Sequence, residues 1–400
     1  MSTIPDATFD PIIQGLLTPP STPANQQDPL QQQDAANSSL TVSARHLQHH
    51  TLVPEFEKDY TLGDELGSGG FGFVVSATRN SDQKEVAVKF IFRDKVPVHG
   101  WAKDPKMGLI PMEIYVLRYV QHPNIIGFLN VFEDSRYFYL IMELHGTPWS
   151  ANNPLLNKNN NGNAMLEAIA QATVNQQRNS ASVSTTSSGS ASFPGTASSS
   201  SSSLNQLGED EEAQTPKPAL LTRRTSCDLF ECIEHHSKFS EAQARVIFKQ
   251  IVDCVWYLNE KSICHRDIKD ENIVIDNDFV VKLIDFGSAV IIPKNTDKTF
   301  DRFYGTINYA SPEILKGEKY RAESAEIWSL GILLYTILYG EVPFNDPMQA
   351  ISGPYIPPRV KSSSECLHLL NWMLAKDAKN RATIQQVADH AWIKGVSMSS

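Results

Sequence analysis

The stretch 265-HRDIKDEN-272, followed by 285-DFG-287, decides how this 400-residue sequence is read. Asp267, Lys269 and Asn272 stand at the spacing H-R-D-x-K-x-x-N, and Asp285 comes thirteen residues after Asn272. Two aspartates, a lysine and an amide at these intervals suit phosphoryl transfer, which asks for positioning and charge neutralisation rather than covalent work by the protein. In that chemistry Asn272 and Asp285 hold Mg2+ against the phosphates of ATP, and Lys269 neutralises the migrating γ-phosphoryl group. Asp267 orients the attacking hydroxyl and accepts its proton.

Toward the N-terminus, 67-GSGGFGFV-74 matches G-x-G-x-x-G-x-V between two expected strands. Gly67, Gly69 and Gly72 have no side chains to keep backbone amides from phosphate oxygens. A glycine-rich hairpin alone is more often only a turn. The signal strengthens at 86-VAVK-89, where Lys89 stands on a strand of apolar neighbours. An ammonium in such a strand needs counter-charge. Nucleotide phosphates and a helix carboxylate supply it, and Glu113 in 112-MEIYVLR-118 is the natural partner. Chance does not account for the glycine loop, Lys89 and both aspartate motifs in this order.

Composition and pattern bound the rest. A net charge of -10 leaves no basic footprint for nucleic acid. The strongest apolar run, 327-IWSLGILLYTILYG-340, is shorter than the roughly 20 residues of a membrane span and reads as a buried helix. Neither nucleic acid nor membrane is therefore expected as a partner. The five cysteines are odd in number and show no metal-ligand spacing, and the start of the chain lacks the pattern of a signal peptide. A cytoplasmic location is expected, with the nucleus also open.

Residues 1–53, rich in Gln, Pro, Ser and Thr, show no sustained period and are expected to be disordered. Strand-like runs begin at Tyr60, and with a helix bearing Ile110, Ile114, Leu117 and Val120 on one stripe they make a small sheet lobe over 60–146. Residues 147–226 read as an insertion, Asn-rich, then Ser-rich, then acidic. Residues 227–396 are mostly helical, with Ala244, Ile247, Phe248, Ile251, Val255 and Leu258 at helical spacing. The expected class is α+β, with a small β-rich lobe and a larger helical one.

Taken together, these motifs resemble the eukaryotic protein kinases over about 60–145 and 227–395. The resemblance implies the bilobal protein kinase fold, with the low-complexity insertion placed just after the hinge, ATP and Mg2+ as cofactors, and protein substrates. It implies that Met142 is the gatekeeper, that Glu143 to Gly146, His145 included, form the hinge meeting adenine through backbone, and that Val74, Ala87 and Val274 sandwich the base, with Leu66 also on the nucleotide. Asp228 is similar in position to the acidic residue on the ATP ribose, often shared with a basic substrate residue. Leu117, His265 and Phe286 resemble members of a stacked apolar column, and Glu313 and Arg381 resemble a buried ion pair. Lys269 together with Thr306 in 305-GTINYASPE-313 resembles the Ser/Thr-specific form. Glu271, like Asp228, is similar in position to a carboxylate that reads arginine upstream of the phosphoacceptor. Substrates with upstream Arg or Lys are expected from this.

A narrower resemblance lies in KFIFRDKV, GWAKDPKMGLIPMEI, NVFEDSRYFYLIMELHG and CHRDIKDENIVI, which look like the catalytic domain of PAS-domain kinases, nutrient-responsive Ser/Thr kinases related to the AMP-activated group. Residues 1–53 are too short and polar for a PAS sensor of roughly 100 residues, so a sensor-less relative or a truncated form is expected. Glu326 stands where the kinase pattern usually has Asp, and Ser311 where it has Ala. Thr296 and Thr299 in the activation segment are candidate phosphosites, with Arg266 as a receiver. Ser226 in 223-RRTS-226, at the seam where the insertion rejoins the domain, is another. The rival from a different class is an inactive kinase-fold scaffold acting through its insertion; intact Lys89, Asp267 and Asp285 argue against it. No sequence feature specifies an oligomeric state.

Overall fold

The computed structural model describes residues 40–149, 222–236, 239–293 and 297–395. Two short helices, α1 (Val42–Leu47) and α2 (Pro54–Asp59), lead into strands β1 (Tyr60–Gly69), β2 (Gly72–Arg79) and β3 (Glu85–Phe92). A hairpin, β4 (Trp101–Asp104) with β5 (Gly108–Pro111), delivers the chain to α3 (Met112–Tyr119), and β6 (Phe128–Glu133) and β7 (Tyr137–Glu143) follow. The main sheet is antiparallel, in the order β1-β2-β3-β7-β6.

Successive strand residues point to opposite faces, and this alternation sorts the sheet. Val86, Val88, Phe90 and Phe92 of β3 lie in one cluster with Tyr137, Tyr139 and Ile141 of β7. Ala87, Ile91, Phe138, Leu140 and Met142 join the larger core that continues into the helical lobe. By parity Lys89, paired across the ladders with Val74 and Leu140, shares this inner face. Burial on both faces is why these strands read as continuous apolar runs.

The outer face is covered by residues 41–59, so the disorder expected up to residue 53 is corrected for 41–53, which are folded onto the sheet. The Thr41 hydroxyl caps α1 by accepting from the Ala44 amide at 3.2 Å. Leu47 and Phe56 are buried, and the Phe56 ring meets Tyr60, Tyr139 and Phe132 at centroid distances of 5.4, 5.3 and 5.6 Å. His50 Nε2 lies 2.8 Å from Asp134 Oδ2 and 3.0 Å from Tyr139 Oη, tying the extension to the turn before β7. Six-residue helices are too short to show a period, so the apolar sheet surface, rather than local pattern, orders this stretch. The predicted helix also shortens: Ile110 lies in β5 and Val120 follows the last turn of α3.

The insertion boundaries move inward for a similar reason. Trp149 is buried, with its ring 5.2 Å from that of His236, and residues 222–226 pack on both lobes. The rest of the two low-complexity stretches, 1–39 and 150–221, lies outside the described residues.

The second lobe contains α4 (Leu229–His236), α5 (Glu241–Glu260), β8 (Ile263–Cys264), β9 (Ile273–Ile275), β10 (Val281–Leu283), β11 (Val290–Ile291), α6 (Pro312–Leu315), α7 (Ala322–Tyr339), α8 (Pro347–Ser352), α9 (Ser364–Met373), α10 (Ile384–Asp389) and α11 (Ala391–Lys394). Helix α5 starts with a reciprocal capping box between Ser240 and Gln243, and all six apolar positions expected for it are buried. Helix α7 is apolar nearly all round and buried nearly throughout, which makes it the centre of the lobe. It ends at Gly340, whose φ of 73° is a left-handed cap that glycine adopts without steric cost. Among the described residues, no helix is long and apolar enough to cross a membrane.

Candidate active site

The roof of the cleft is the β1–β2 hairpin. A Cβ on Gly72 would stand 2.0 Å from the Phe90 carbonyl oxygen, so only glycine lets β2 lie this close to β3. Gly67 and Gly69 instead face open space, with no atom within 4 Å of an added Cβ. One glycine therefore serves packing, and two leave room for a ligand beside the backbone.

Beneath the roof, Lys89 Nζ donates to Glu113 Oε1 at 2.7 Å and to Asp285 Oδ1 at 3.0 Å. Burial pushes the Lys89 ammonium down, but the charges of Asp285 and Glu113 outweigh it and hold the group above its ordinary value. Burial pushes Glu113 up to about 6 against the pull of Lys89. Desolvation also raises Asp285, yet Lys89 wins and holds that carboxyl below the ordinary range. Lys89 thus stays charged at neutral pH and joins the sheet, α3 and the DFG segment at one point.

The inward position of α3 depends on Asp104, a residue sequence reasoning missed. Its buried carboxylate accepts from the Lys106 and Met107 amides at 2.8 and 2.9 Å and from Tyr119 Oη at 2.9 Å, with Arg118 Nη1 3.0 Å away. The Asp-Pro-x-x-Gly turn was a visible signal of the hairpin; its link to Arg118 and Tyr119 was not.

On the floor, Asp267 is held from three directions. Its Oδ1 accepts from the Thr306 amide at 2.9 Å and from Thr306 Oγ1 at 3.1 Å, and its Oδ2 accepts from Asn272 Nδ2 at 3.0 Å. Asn272 Nδ2 also donates to the Asp267 carbonyl at 2.8 Å, so the amide oxygen of Asn272 remains the atom to offer a ligand. Lys269 donates to Glu271, the residue expected to read a substrate arginine, so those two expected roles meet in one ion pair. His265 and Phe286 are buried with ring centroids 4.8 Å apart, and Leu117 is buried in the same core, as expected for the apolar column.

Arg266 has a φ of 66°, a left-handed backbone costly for a non-glycine residue. Glu326, buried in α7, accepts from its amide at 3.0 Å and holds it there. The Arg266 side chain donates through Nε to the Ser288 carbonyl at 2.7 Å and lies 5.2 and 5.5 Å from the ring centres of Phe300 and Tyr304. Of the two activation-segment threonines, Thr299 is exposed, and Thr296 lies outside the described residues. The buried pair forms as expected: Arg381 donates to both Glu313 oxygens, at 2.8 and 3.0 Å.

The connection between lobes is short. Glu143 Oε1 accepts from the Gly127 amide at 2.6 Å and pairs with Lys282 at 2.8 Å, and His145 Nε2 lies 2.9 Å from the Val280 carbonyl. What these two residues can offer a base is therefore main chain. Met142 and Ala87 are paired on the inner face of the sheet, Leu66 and Val74 pack partly buried on the same core, and Val274 bridges to Asp228 on the opposite side. Asp228 caps α4 by accepting from the Glu231 amide at 2.8 Å and also accepts from Ser226 Oγ. Burial raises its carboxyl above the ordinary range.

Two hard oxygens, from Asn272 and a half-exposed Asp285, face the cleft below Lys89. Among the described residues, no group of three or more His, Cys, Asp or Glu could hold a metal ion by itself. That donor set fits Mg2+, which usually keeps waters and takes substrate phosphates as further ligands.

A sheet lobe with a glycine-rich roof, a lysine–glutamate pair and two anchored aspartates is an arrangement suited to nucleotide-dependent phosphotransfer, and it points to one family. The protein kinase domain model matches residues 60–176 and 217–393, and the chain belongs to that family. Among curated relatives it is 33% identical over 339 residues to the PAS domain-containing serine/threonine-protein kinase of Mus musculus, covering 85% of this chain and 19% of that protein. It is 29% identical over 359 residues to serine/threonine-protein kinase PSK2 of Saccharomyces cerevisiae, covering 89% of this chain and 25% of that one. It is also 29% identical over 356 residues to the NUAK family SNF1-like kinase 1 of Homo sapiens, covering 87% and 40%. The chain thus spans a quarter or less of the first two of these relatives.

Proposed function

We propose that this chain is an ATP-dependent Ser/Thr protein kinase. The observation that carries the proposal is the double anchoring of Asp267 by Asn272 and Thr306, beside the Lys89–Glu113–Asp285 cluster. Asp267 orients a Ser or Thr hydroxyl and accepts its proton as the new O–P bond forms and the bond from the γ-phosphorus to the β,γ-bridging oxygen breaks, releasing ADP. Lys89 holds the α- and β-phosphates, the amides of the glycine-rich turn lie over them, and Lys269, released from Glu271, meets the γ-phosphoryl group. Asn272 and Asp285 would hold Mg2+, which when bound neutralises phosphate charge. Leu66, Val74, Ala87, Met142 and Val274 enclose the base, the main chain of Glu143 to Gly146 meets its edge, and Asp228 takes the ribose.

The finer parts of the proposal are substrates with upstream Arg or Lys, read by Asp228 and Glu271, a role in nutrient or metabolic signalling, and a cytoplasmic or nuclear site of action. The two carboxylates and the similarity to a PAS domain-containing kinase support the first two. Five free cysteines support the third. Ser226, Thr296 and Thr299 are proposed regulatory phosphosites. The test is incubation of the purified chain with Mg2+-ATP and paired Ser peptides with and without upstream arginine. Transfer that depends on Asp285 and prefers the arginine peptide is expected. No transfer, with D285N indistinguishable from wild type, would favour the scaffold.

A further inference from the structure

On the nucleotide site just described, we propose that residues Thr222 to Cys227 form a strap that sets the height of the glycine-rich turn over the nucleotide floor, with Glu65 and Arg224 as its positioning residues.

Strand β1 is an edge of the main sheet, and its outer hydrogen-bonding side would stand open. The returning chain closes it at one point: Glu65 donates its amide to the Thr222 carbonyl at 2.8 Å, and the Arg224 amide donates to the Glu65 carbonyl at 2.9 Å. Side chains repeat the attachment. Thr222 Oγ1 donates to Asp64 Oδ1 at 2.6 Å, and Arg224 reaches Asp64 Oδ2 at 3.3 Å and Glu85 Oε1 at 2.6 Å. The contact reaches beyond β1, whose end forms the turn, to β3, since Glu85 opens that strand and lies across the ladder from Thr78 of β2.

Glu65 is the position where such a grip matters. The β1–β2 register slips on either side of it, between Leu62 and Glu65 and again between Glu65 and Gly67. Ladder pairing is thus irregular just ahead of the turn, and other bonds must fix the strand there. The Glu65 carboxylate is buried and accepts from the Ser43 amide of α1 at 2.7 Å. Three segments therefore converge on one residue: the N-terminal extension by side chain, the strap by main chain, and β2 from the ladder.

The other end of the strap is fixed to the floor. The Ile275 amide donates to the Cys227 carbonyl at 2.9 Å, and Asp228 bridges to Val274. Gly146 has a φ of 104°, and an added Cβ there would stand 2.6 Å from Cys227 Cβ, so the hinge runs against the strap. Roof and floor are joined beside the hinge by a second run of chain, six residues long from Thr222 to Cys227. Loosening it lets the roof rise without touching Asp267, Asn272 or Asp285. Nucleotide affinity should then fall while the transfer step survives.

The experiment uses the full chain with Arg224→Ala, which removes the ion pairs, and Arg224→Pro, which also removes the amide given to Glu65. Arg79→Ala, which breaks the exposed 2.6 Å pair between the last residue of β2 and Asp82 of the following turn, is the control. The ATP KM is expected to rise roughly three- to tenfold, more for the proline variant, with kcat and peptide KM within about twofold. Amide exchange at Glu65 should quicken in Arg224→Pro, and Glu65→Gln, which keeps an acceptor for Ser43, should keep most of the wild-type ATP KM. An unchanged ATP KM, an unchanged Glu65 exchange rate, or equal losses in kcat and thermal stability would each overturn the strap. Wild-type protein that neither binds nor turns over ATP would overturn the proposed function instead, while the exchange measurement still reads whether Glu65 is paired.

Discussion

Glu326 is a buried carboxylate that, among the described residues, has no ion pair, and its replacement should alter both pH-dependence and catalysis. It accepts from the amides of Arg266 and His265, and burial pushes its carboxyl up to about 7 from an ordinary 4.5. Between those values the folded protein holds a proton that the unfolded chain has released. The resulting stabilisation is complete below pH 4.5 and is lost as pH rises through about 7. Linkage over that interval makes the contribution at pH 5.5 about 2 kcal/mol larger than at pH 8. In Glu326→Gln this slope disappears. Urea unfolding of both proteins at the two pH values should therefore show wild type gaining about 2 kcal/mol on the variant at the lower pH, roughly 4–8 °C in Tm. At pH 8 the glutamine offers one oxygen where two amides need acceptors, so an orphaned amide costs about 1–3 kcal/mol. Glu326→Ala removes both acceptors and frees the strained Arg266 backbone; a catalytic loop displaced by about 1 Å loses up to ~100-fold in kcat. Equal pH slopes for wild type and Glu326→Gln would refute the assignment of the proton to this residue. An unaltered kcat in Glu326→Ala would refute its hold on the catalytic loop.

Three further outcomes are expected. Arg381→Ala leaves Glu313 buried without its guanidinium and should cost about 3–5 kcal/mol by urea unfolding, whereas pairing it with Glu313→Gln should recover part of the loss; purely additive losses would contradict this. Phe56→Ala, in the segment whose sequence reads as disordered, should cost about 3–5 kcal/mol because it opens the aromatic cluster over the sheet. A loss under about 1 kcal/mol would mean the extension is not part of the folded unit. Gly72→Ala should lower Tm and raise the ATP KM through its clash with the Phe90 carbonyl, while Gly69→Ala, with open space around it, should leave Tm within a degree or two.

Much of the site was legible because its parts are local. The spacing of Asp267, Lys269 and Asn272 is set within one loop, and Lys89 stood out as the one ammonium in an apolar strand, although which face it shares was decided by the sheet. The pairing of Glu313 with Arg381 needed the family resemblance, since its partners are 68 residues apart. Local reading failed where order comes from a surface made elsewhere. Residues 41–59 have too few helical turns to display a period, and only the aromatic outer face of the sheet gives them a reason to fold. Residues 222–226 carry no strand signal and become ordered because β1 has an open edge.

By itself, then, the sequence determined the two-lobed fold, the residues that meet in the candidate site and the central buried helix, all of which rest on short-range periodicity or motif spacing. Tertiary structure alone decided which groups those residues face. It turned Glu271 onto Lys269, locked α3 through Asp104, and brought Ser43, Glu65 and Thr222 together. The Ser43 and Thr222 partners of Glu65 and its neighbour Asp64 lie 22 and 158 residues away. Contacts across such separations form only when the whole domain has closed its chain loops, and no local pattern encodes them.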